Sequence, residues 1–379
     1  MHCVVVGAGA WGLPAATELA TRGHSVVLID RYGVANKLSS SPGPTRLWRL
    51  THPDTIRVRL ARRSVEAMQR LASRSGATVF LRRGLLWRDD ASLPSVMKAL
   101  GDAGVEYEHV PTADVDRFFP GLRADSRDAV WQADAGPVLA AASMSAQKQL
   151  FESAGGVTEL GRVVRSIKIT VNGVRVRCDD GRQFMADAVV LAPGPGAGAL
   201  LSGLGIDLPL RPRLEQVVHF GEPANPGAAD DFPCLYDGPR DGEPGMYTMP
   251  TPATGYKVGL DQPLRDLVEG DFVRTPDADL VTATAERVRR DLTAISPNVL
   301  DAQVCCWTDS PDGRFIIDTL PGGIVFAGGD SGEGFKFSAL MGTVLADLAE
   351  GRTRDPDVAS FSLARFANGV SFVPHVLGR

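Results

Sequence analysis

Residues 2–12 read HCVVVGAGAWG, and this stretch decides the fold. Residues 2–6 form a short β-branched run that predicts a buried strand, and three glycines follow it in the spacing GxGxxG. An alanine-rich amphipathic segment then predicts a helix to about Arg22, and VVLID at residues 26–30 predicts a second strand. Strand, helix and strand in this order predict a βαβ unit, and with it a parallel sheet of α/β type.

Each glycine of this motif has its own physical role. Gly7 permits a tight turn, Gly9 lets the backbone approach a pyrophosphate, and Gly12 allows the helix to pack closely on the strand. Asp30 closes the second strand, where its carboxylate is placed to accept hydrogen bonds from ribose hydroxyls. The pattern predicts a dinucleotide site at a helix N-terminus. The alternative is a glycine-rich turn in an unrelated α/β sheet, and the motif alone does not distinguish FAD from NAD.

The length of 379 residues exceeds what one hydrophobic core usually serves, so we expect two domains. The segment FMADAVVLAPG at residues 184–194 resembles a strand that returns to the first sheet. Between about 205 and 310, short strands and many prolines predict a mostly antiparallel second sheet, with residues 222–245 as an exposed loop. The expected fold is α/β with an α+β second domain. The nucleotide-binding domain is expected to comprise residues 1–80, 144–205 and 312–379, and the substrate domain residues 81–143 and 206–311.

The composition is that of an ordinary globular protein, with 44% hydrophobic and 22% charged residues. A net charge of −5 and the absence of a Lys/Arg run argue against nucleic acid or an anionic membrane as a partner. No stretch approaches the ~20 apolar residues of a membrane span, and the start lacks the charged region of a signal peptide. Five scattered cysteines fit neither a disulfide framework nor a zinc site, so no metal is expected. We expect a cytoplasmic monomer that acts on small molecules.

Four separate segments carry a resemblance that goes beyond the glycine motif. They are VVVGAGAWG with VVLID, SSPGPTRLWR at 40–49, MYTMPTPATGYKVG at 246–259, and CCWTDSPDGRFIID at 305–318 with AGGDSGEGFKFS at 327–338. In order and spacing, along nearly the whole chain, they resemble the monomeric sarcosine oxidase and N-methyltryptophan oxidase group of the D-amino-acid-oxidase-like FAD oxidoreductases. The resemblance implies FAD as the cofactor, a Rossmann-like FAD-binding domain and a mostly antiparallel substrate domain.

The same resemblance implies that the flavin is covalently bound. In that group, a cysteine in the segment that matches CCWTDSPDGRFIID bonds to the flavin 8α-methyl group. The matching position is Cys305, with the adjacent Cys306 as the next candidate. Such a link requires a thiolate and raises the redox potential of the flavin. The alternative is a pair of buried structural cysteines.

Lys257 matches the lysine that promotes the reaction of the reduced flavin with oxygen in this group. A fixed ammonium stabilises the negative charge that develops on oxygen as the first electron reaches it. The alternative is a solvated surface lysine. The chain has only six lysines among its 40 basic residues, and Lys257 lies in a short apolar strand. This context favours the functional interpretation.

The resemblance also places a substrate carboxylate between Arg49 and Lys336. Arginine offers a planar fork for a carboxylate, and lysine adds a second point charge. Tyr247 is expected to line the substrate cavity, and Arg46 to hold the flavin region. An alternative for the two arginines, from spacing alone, is one helical face that makes surface ion pairs.

The remaining predicted flavin contacts follow by position. The glycine-rich GGDSGEGFK segment is expected to direct backbone N–H groups at a helix N-terminus toward a flavin carbonyl oxygen. Together with Gly7, Gly9, Gly12, Asp30, Arg46 and Cys305, the predicted cofactor-binding residues are Arg31, Ser40, Ser41, Thr45, Val163, Gly194, Gly332, Gly334, Phe335 and Lys336.

Three positions depart from the pattern of the group. Asp261, Glu333 and Pro42 stand where sarcosine oxidase has histidines. If Asp261 and Glu333 both face the cavity, they favour a substrate with a second cationic or hydrogen-bond-donating group. The alternative is that either carboxylate faces solvent or pairs with an arginine.

The sequence therefore predicts an FAD-dependent oxidase that converts a secondary, N-methylated or cyclic amino acid to an imine, with release of hydrogen peroxide. A first alternative is an amino-acid dehydrogenase of the same fold that passes electrons to a carrier instead of oxygen. A second is a ring-desaturating oxidase of a biosynthetic pathway, and a third is a flavin monooxygenase.

Overall fold

The structure is a computed structural model that describes residues 1–367. The strands are β1 His2–Val6, β2 Ser25–Asp30, β3 Thr45–Trp48, β4 Leu85–Arg88, β5 Glu108–Val110, β6 Ala129–Gln132, β7 Gly136–Leu139, β8 Val157–Leu160, β9 Val164–Thr170, β10 Gly173–Cys178, β11 Gln183–Ala186, β12 Ala188–Leu191, β13 Arg211–Phe220, β14 Cys234–Asp237, β15 Met246–Thr251, β16 Gly255–Leu260, β17 Arg265–Asp266, β18 Val299–Asp309, β19 Ile316–Leu320 and β20 Ile324–Gly328. The α-helices are α1 Gly12–Thr21, α2 Thr55–Ser75, α3 Leu93–Asp102, α4 Val115–Phe118, α5 Ala140–Ser153, α6 Ala197–Ser202, α7 Ala278–Asp291, α8 Ser338–Ala349 and α9 Pro356–Ala359.

The first sheet has six strands in the order β19-β20-β12-β1-β2-β8. Its strands are parallel except for β19, which pairs antiparallel with β20. Alternate residues of β1 belong to different cores: Cys3 and Val5 pack on one side, and Val4 and Val6 on the other. Both faces of the sheet are therefore covered, as a parallel sheet requires. The predicted βαβ unit and the α/β class are confirmed.

The second sheet has nine strands and is mostly antiparallel, as predicted. Its order is β17-β13-β16-β15-β14-β4-β6-β5, and the long strand β18 pairs with β13. One parallel pair, β14 with β4, interrupts the antiparallel pattern. The division of the chain into two domains stays a prediction, and residues 368–379 of the expected first domain lie outside the described residues.

One expectation for this sheet is wrong. Residues 222–245 were expected to form an exposed loop, but they contain β14, all four residues of which are buried. Strand β14 lies in the interior of the sheet between β15 and β4. Its apolar run of Cys234, Leu235 and Tyr236 is too short to stand out between flanking Pro, Gly and Asp residues.

The carboxyl ends of β1, β2, β12 and β20 meet at one edge of the first sheet because these strands are parallel. Ligands of open α/β sheets bind at such edges. Strands β16 and β18 of the second sheet carry Lys257 and Cys305. Within residues 1–367, no helix has both the length and the apolar character needed to cross a membrane.

Candidate active site

A pocket lies at the carboxyl edge of the first sheet. It is lined by the loops that follow β1, β12 and β20, by the end of β2 and by the segment that precedes β3. The predicted cofactor-binding residues that line it are Gly7, Gly9, Asp30, Ser40, Ser41, Gly194, Gly334 and Phe335.

The glycines of the first loop fit a bound pyrophosphate. Gly7 has a φ of +103°, and a Cβ there would lie 2.2 Å from the carbonyl oxygen of Ala192. A Cβ on Gly12 would lie 1.9 Å from the carbonyl oxygen of Gly7, so the helix packs directly on the loop. At Gly9, in contrast, a Cβ would meet only the Ser41 hydroxyl, at 3.3 Å. The backbone is therefore open to the pocket at Gly9, where a phosphate approaches in nucleotide sites.

These contacts predict different outcomes for two alanine substitutions. Gly7→Ala should destabilise the protein by about 3 kcal/mol or more, because left-handed strain of about 1–3 kcal/mol adds to a clash with a backbone oxygen. Gly9→Ala should change stability much less but weaken FAD retention, because its methyl group enters the pocket. Urea unfolding of the apoproteins and flavin content after gel filtration measure the two effects. Equal loss of stability in both variants would contradict this assignment.

Asp30 links the first loop to the end of β2. Its carboxylate accepts hydrogen bonds from the backbone N–H groups of Ala8 (2.8 Å), Tyr32 (2.8 Å) and Gly33 (2.6 Å). A carboxylate has about four acceptor positions. Since Asp30 also lines the pocket, one position remains for a ribose hydroxyl.

Several other predicted cofactor contacts are not pocket-lining residues. Arg31 is exposed and lies 5.8 Å from the ring centroid of Tyr32. Val163 lies between β8 and β9, where its backbone pairs with Asp179. Gly332 lies beside the Trp307 ring, 3.9 Å from where its Cβ would be. Contacts of these three residues with FAD stay predictions.

Arg46 and Thr45 form a bridge between the pocket and the second sheet. Arg46 donates to the carbonyl oxygens of Ser40 (3.1 Å) and Pro42 (2.6 Å), and its guanidinium lies 5.7 Å from the Phe335 ring centroid. Thr45 is fully buried. Because β3 is a strand, the alternative of one helical surface face for Arg46 and Arg49 is wrong.

Lys257 is 3% exposed on β16, a strand whose six residues are all buried. Its Nζ donates to the carbonyl oxygen of Thr45 at 2.8 Å. Burial and the positive charge of Arg46 lower the pKa of Lys257 to about 7. The lysine is thus not a solvated surface group, and a buried ammonium held by one neutral acceptor is able to stabilise a nearby anion.

The two adjacent cysteines of β18 differ in their surroundings. Cys305 is half-buried, and its Sγ lies 3.9 Å from Oε2 of Glu215. Burial and Glu215 raise the pKa of Cys305 to about 12. Cys306 is 3% exposed and packs with Leu214, while its Sγ lies 3.3 Å from the Ser40 hydroxyl. Of the two thiols, Cys305 is the more accessible and has a carboxylate as acceptor.

Glu215 is a site residue that sequence reasoning missed. It lies on β13, accepts a hydrogen bond from the Tyr247 hydroxyl, and lies beside Cys305. Burial raises the pKa of Tyr247 well above its usual range, and the negative charge of Glu215 adds to this effect. Nothing in the local sequence distinguishes Glu215 from an ordinary outward-facing strand residue.

Glu333 is the centre of a cluster of buried charged side chains, the Glu333 cluster. Its Oε1 accepts hydrogen bonds from Arg49 at 2.6 Å and from Lys336 at 3.1 Å, and its Oε2 lies 3.3 Å from Nη1 of Arg57. Glu333 is 2% exposed. Burial alone would raise its pKa, but Lys336 and Arg49 hold the pKa of this carboxyl well below its usual range. Glu333 was expected to face the cavity, to face solvent or to pair with an arginine, and it pairs with an arginine.

Two further members of this cluster, Arg57 and His52, were also missed. Arg57 lies on α2 and donates to the carbonyl oxygen of Gly313 at 2.9 Å. His52 is fully buried, with Nδ1 3.8 Å from Glu333 Oε1. Burial and the charge of Arg49 lower the pKa of His52 well below its usual value, so the imidazole is neutral. Both residues follow Arg49 closely in sequence, but no spacing pattern indicated that they lie beside Glu333.

Two further carboxylates near the site, Asp261 and Asp330, differ in role. Asp261 is half-buried and accepts a hydrogen bond from the Tyr236 hydroxyl at 3.1 Å. Asp330, also missed from the sequence, lines the pocket at the carboxyl edge of the first sheet. Burial raises the pKa of Asp330 to about 6. A carboxyl group of this kind is close to the protonation midpoint under ordinary conditions and is able to act as a hydrogen-bond donor when protonated.

Comparison with known proteins finds relatives along nearly the whole chain. The monomeric sarcosine oxidase of Bacillus sp. (strain B-0618) is 26% identical over 381 residues, which cover 96% of this chain and 95% of that protein. The N-methyl-L-tryptophan oxidase of Salmonella enteritidis PT4 (strain P125109) is 25% identical over 374 residues, with 96% and 98% covered. The structure of NikD, described as an unusual amino acid oxidase essential for nikkomycin biosynthesis, superposes with a TM-score of 0.84 at 23% identity over 98% of both chains.

The family assignment follows from a match over most of the chain. The model of a protein family described as FAD dependent oxidoreductase matches residues 2–348. These residues include the glycine loop, Lys257, Cys305 and the Glu333 cluster, so the match covers both the pocket and the second sheet. The chain therefore belongs to the FAD dependent oxidoreductase family.

Proposed function

We propose that this flavoenzyme oxidises the CH–NH bond of a secondary, N-methylated or cyclic amine to an imine and passes the electrons to oxygen, which leaves as hydrogen peroxide. Sarcosine and N-methyl-L-tryptophan, named in two relatives, are both N-methylated amino acids. An amino-acid substrate was the expectation from sequence. Whether the substrate carries a carboxylate depends on the surroundings of Arg49 and Lys336.

The observation that carries the oxidase proposal is the burial of Lys257. Bound FAD supplies an electron acceptor for the amine, and the protein supplies the groups around it. The Lys257 ammonium donates to the carbonyl oxygen of Thr45 and forms no ion pair with a carboxylate among the described residues, although the charge of Glu215 opposes the lowering of its pKa. Its charge is therefore available to stabilise the negative charge that develops on oxygen.

Tyr247 and Glu215 border the same region as Lys257. The Tyr247 hydroxyl is held by Glu215, so the ring is oriented by a buried hydrogen bond. Burial and the Glu215 carboxylate raise the pKa of Tyr247 and so keep its hydroxyl protonated while the amine substrate binds. Attachment of FAD through Cys305, a cytoplasmic location and a monomeric state are further parts of this proposal.

Anaerobic and aerobic assays of the purified holoenzyme test the proposal. Secondary and cyclic amines, with and without a carboxylate, should bleach the yellow flavin in the absence of oxygen. Air should restore the colour within seconds, with release of one hydrogen peroxide per amine oxidised. Bleaching followed by reduced flavin that persists in air would instead indicate a dehydrogenase. If no amine bleaches the flavin, the proposed reaction is wrong.

The pKa of Lys257 predicts how the oxygen reaction depends on pH. The pKa is about 7, so the ammonium is present below that pH and is lost above it. The rate of flavin reoxidation should therefore fall as pH rises through about 7, by about tenfold per pH unit at higher pH. Stopped-flow reoxidation of photoreduced enzyme measures this rate. Lys257→Arg should remove the pH dependence, because arginine stays charged, whereas a flat profile in the unsubstituted enzyme would contradict the prediction.

A further inference from the structure

Arg49 is enclosed by groups of the protein itself. Its side chain is 2% exposed, and its guanidinium lies over the Trp87 ring, 4.4 Å from the centroid. One nitrogen donates to Glu333 Oε1 at 2.6 Å, and another donates to the carbonyl oxygen of Thr51. A guanidinium fork is suited to one carboxylate. In this protein the fork already binds the carboxylate of Glu333.

Lys336 is bound to the same carboxylate. Its Nζ donates to Glu333 Oε1 at 3.1 Å, and the side chain is 7% exposed. The two cations that resemblance assigns to the substrate carboxylate, Arg49 and Lys336, thus converge on one oxygen of the chain. Burial lowers the pKa of Lys336 to about 7, and the charge of Glu333 opposes that shift.

The charges around Glu333 are balanced. Asp54 lies 3.4 Å from Arg57, and Asp261 contributes negative potential at Arg49. Three cations therefore face three carboxylates. The cations are Arg49, Arg57 and Lys336, and the carboxylates are Glu333, Asp54 and Asp261. The Asp54 side chain is 45% exposed, so water screens its charge. A substrate carboxylate would have to share the buried Arg49 and Lys336 with Glu333, which is strongly unfavourable.

We infer that Glu333 takes the place of a substrate carboxylate, and that the enzyme acts on secondary or cyclic amines with no carboxylate beside the oxidised CH–NH bond. The inference rests on the proposed function and narrows the substrates of that function to amines without such a carboxylate. In the resemblance to sarcosine oxidase, a histidine matches this position, and a histidine here would leave the two cations without a protein carboxylate. Glutamate supplies the carboxylate and so changes which substrates bind.

Matched pairs of amines test the inference. Piperidine and pipecolate, and pyrrolidine and proline, differ only in the carboxylate, and anaerobic flavin bleaching gives a reduction rate and a Kd for each. The wild-type holoenzyme should prefer the amine without a carboxylate by about tenfold or more. Glu333→Gln should shift the ratio toward the amino acid by about tenfold to a hundredfold, because Arg49 and Lys336 lose their internal partner.

Asp54→Asn is the matched control for this comparison. It removes one carboxylate of the same charge cluster, but the Asp54 carboxylate pairs with the Arg57 side chain at 3.4 Å and accepts a hydrogen bond from the Arg57 backbone N–H at 2.8 Å. Glu333, in contrast, binds Arg49 and Lys336 directly. Asparagine also preserves the N-cap of α2. The substrate ratio of Asp54→Asn should stay near the wild-type ratio. A ratio shifted as far as that of Glu333→Gln would mean that total charge, and not the place of Glu333, sets the preference, and would overturn the inference.

A second measurement needs no substrate. In Glu333→Ala holoenzyme, acetate should raise the thermal unfolding midpoint far more than acetamide does, because acetate replaces the missing carboxylate. In wild-type enzyme, acetate and acetamide should have equal effects. Equal effects in the variant, or a strong acetate effect in the wild type, would overturn the inference. If Glu333→Ala does not fold, the substrate ratios of Glu333→Gln and of the wild type decide.

The inference and the proposed function fail in different ways. If neither member of any pair bleaches the flavin, the proposed function fails. If amino acids bleach the flavin better than their carboxylate-free partners, and Glu333→Gln does not change that preference, the function stands and the inference fails.

Discussion

Substitution of Lys257 by methionine is expected to slow reoxidation of the reduced flavin by about 10²- to 10³-fold, which is the usual effect of removing one preorganised charge from a developing anion. Methionine preserves the length and burial of the side chain but removes the ammonium. Reduction of the flavin by the amine should change little, because the role assigned to Lys257 is toward oxygen. Stopped-flow spectroscopy measures the two half-reactions separately.

Lys98→Met is the control for this substitution. The Lys98 side chain is 74% exposed and pairs with Asp102, so it represents an ordinary surface lysine. Both half-reactions of Lys98→Met should match those of the unsubstituted enzyme. If Lys257→Met is reoxidised at the wild-type rate, Lys257 does not activate oxygen. If both half-reactions slow equally, Lys257 supports the site as a whole and not the oxygen step.

The nucleotide motif could be predicted because its geometry is local. One βαβ unit contains all the residues of the motif: Gly7, Gly9, Gly12 and Asp30. The backbone conformation and close packing of that unit determine which residues are allowed at these positions. The burial of Lys257 was also predictable, because a lysine in a short apolar strand of an arginine-rich chain is unusual. In both cases the signal lies in neighbouring residues.

The Glu333 cluster could not be predicted in the same way. Arg49 and Glu333 are 284 residues apart in sequence but 2.6 Å apart in the structure. Resemblance assigned Arg49 and Lys336 to a substrate, and only tertiary contacts show that a carboxylate of the chain already binds both. His52, Arg57 and Glu215 were missed for the same reason, since each looks unremarkable within its own segment. The departure of Glu333 from the group pattern was visible, but its partners were not.

Substitution of Cys305 by serine is expected to abolish covalent attachment of FAD, whereas Cys306→Ser should leave it intact. Neighbouring residues of a strand point to opposite faces. Cys306 points into the small core around Leu214, with its sulfur next to Ser40, while Cys305 is half-buried beside Glu215. A thiol must lose its proton before it bonds to carbon, and Glu215 is an acceptor within reach of Cys305.

Acid precipitation and intact mass measurement test this assignment together. In the wild type, yellow colour should remain in the precipitate. The protein mass should exceed that of the chain by one FAD less two hydrogens, because an S–C bond replaces one S–H and one C–H bond and oxygen takes up the two electrons and two protons. In Cys305→Ser, all flavin should appear in the supernatant, although the glycine loop should still bind FAD before denaturation. Cys306→Ser, a substitution of the same kind one residue away, controls for damage to β18. Release of flavin from Cys306→Ser alone would show that Cys306 carries the link and that the Ser40 side of β18 faces the flavin. Release of flavin from the wild type would show that the cofactor is not covalent. Either result would contradict the role of Cys305.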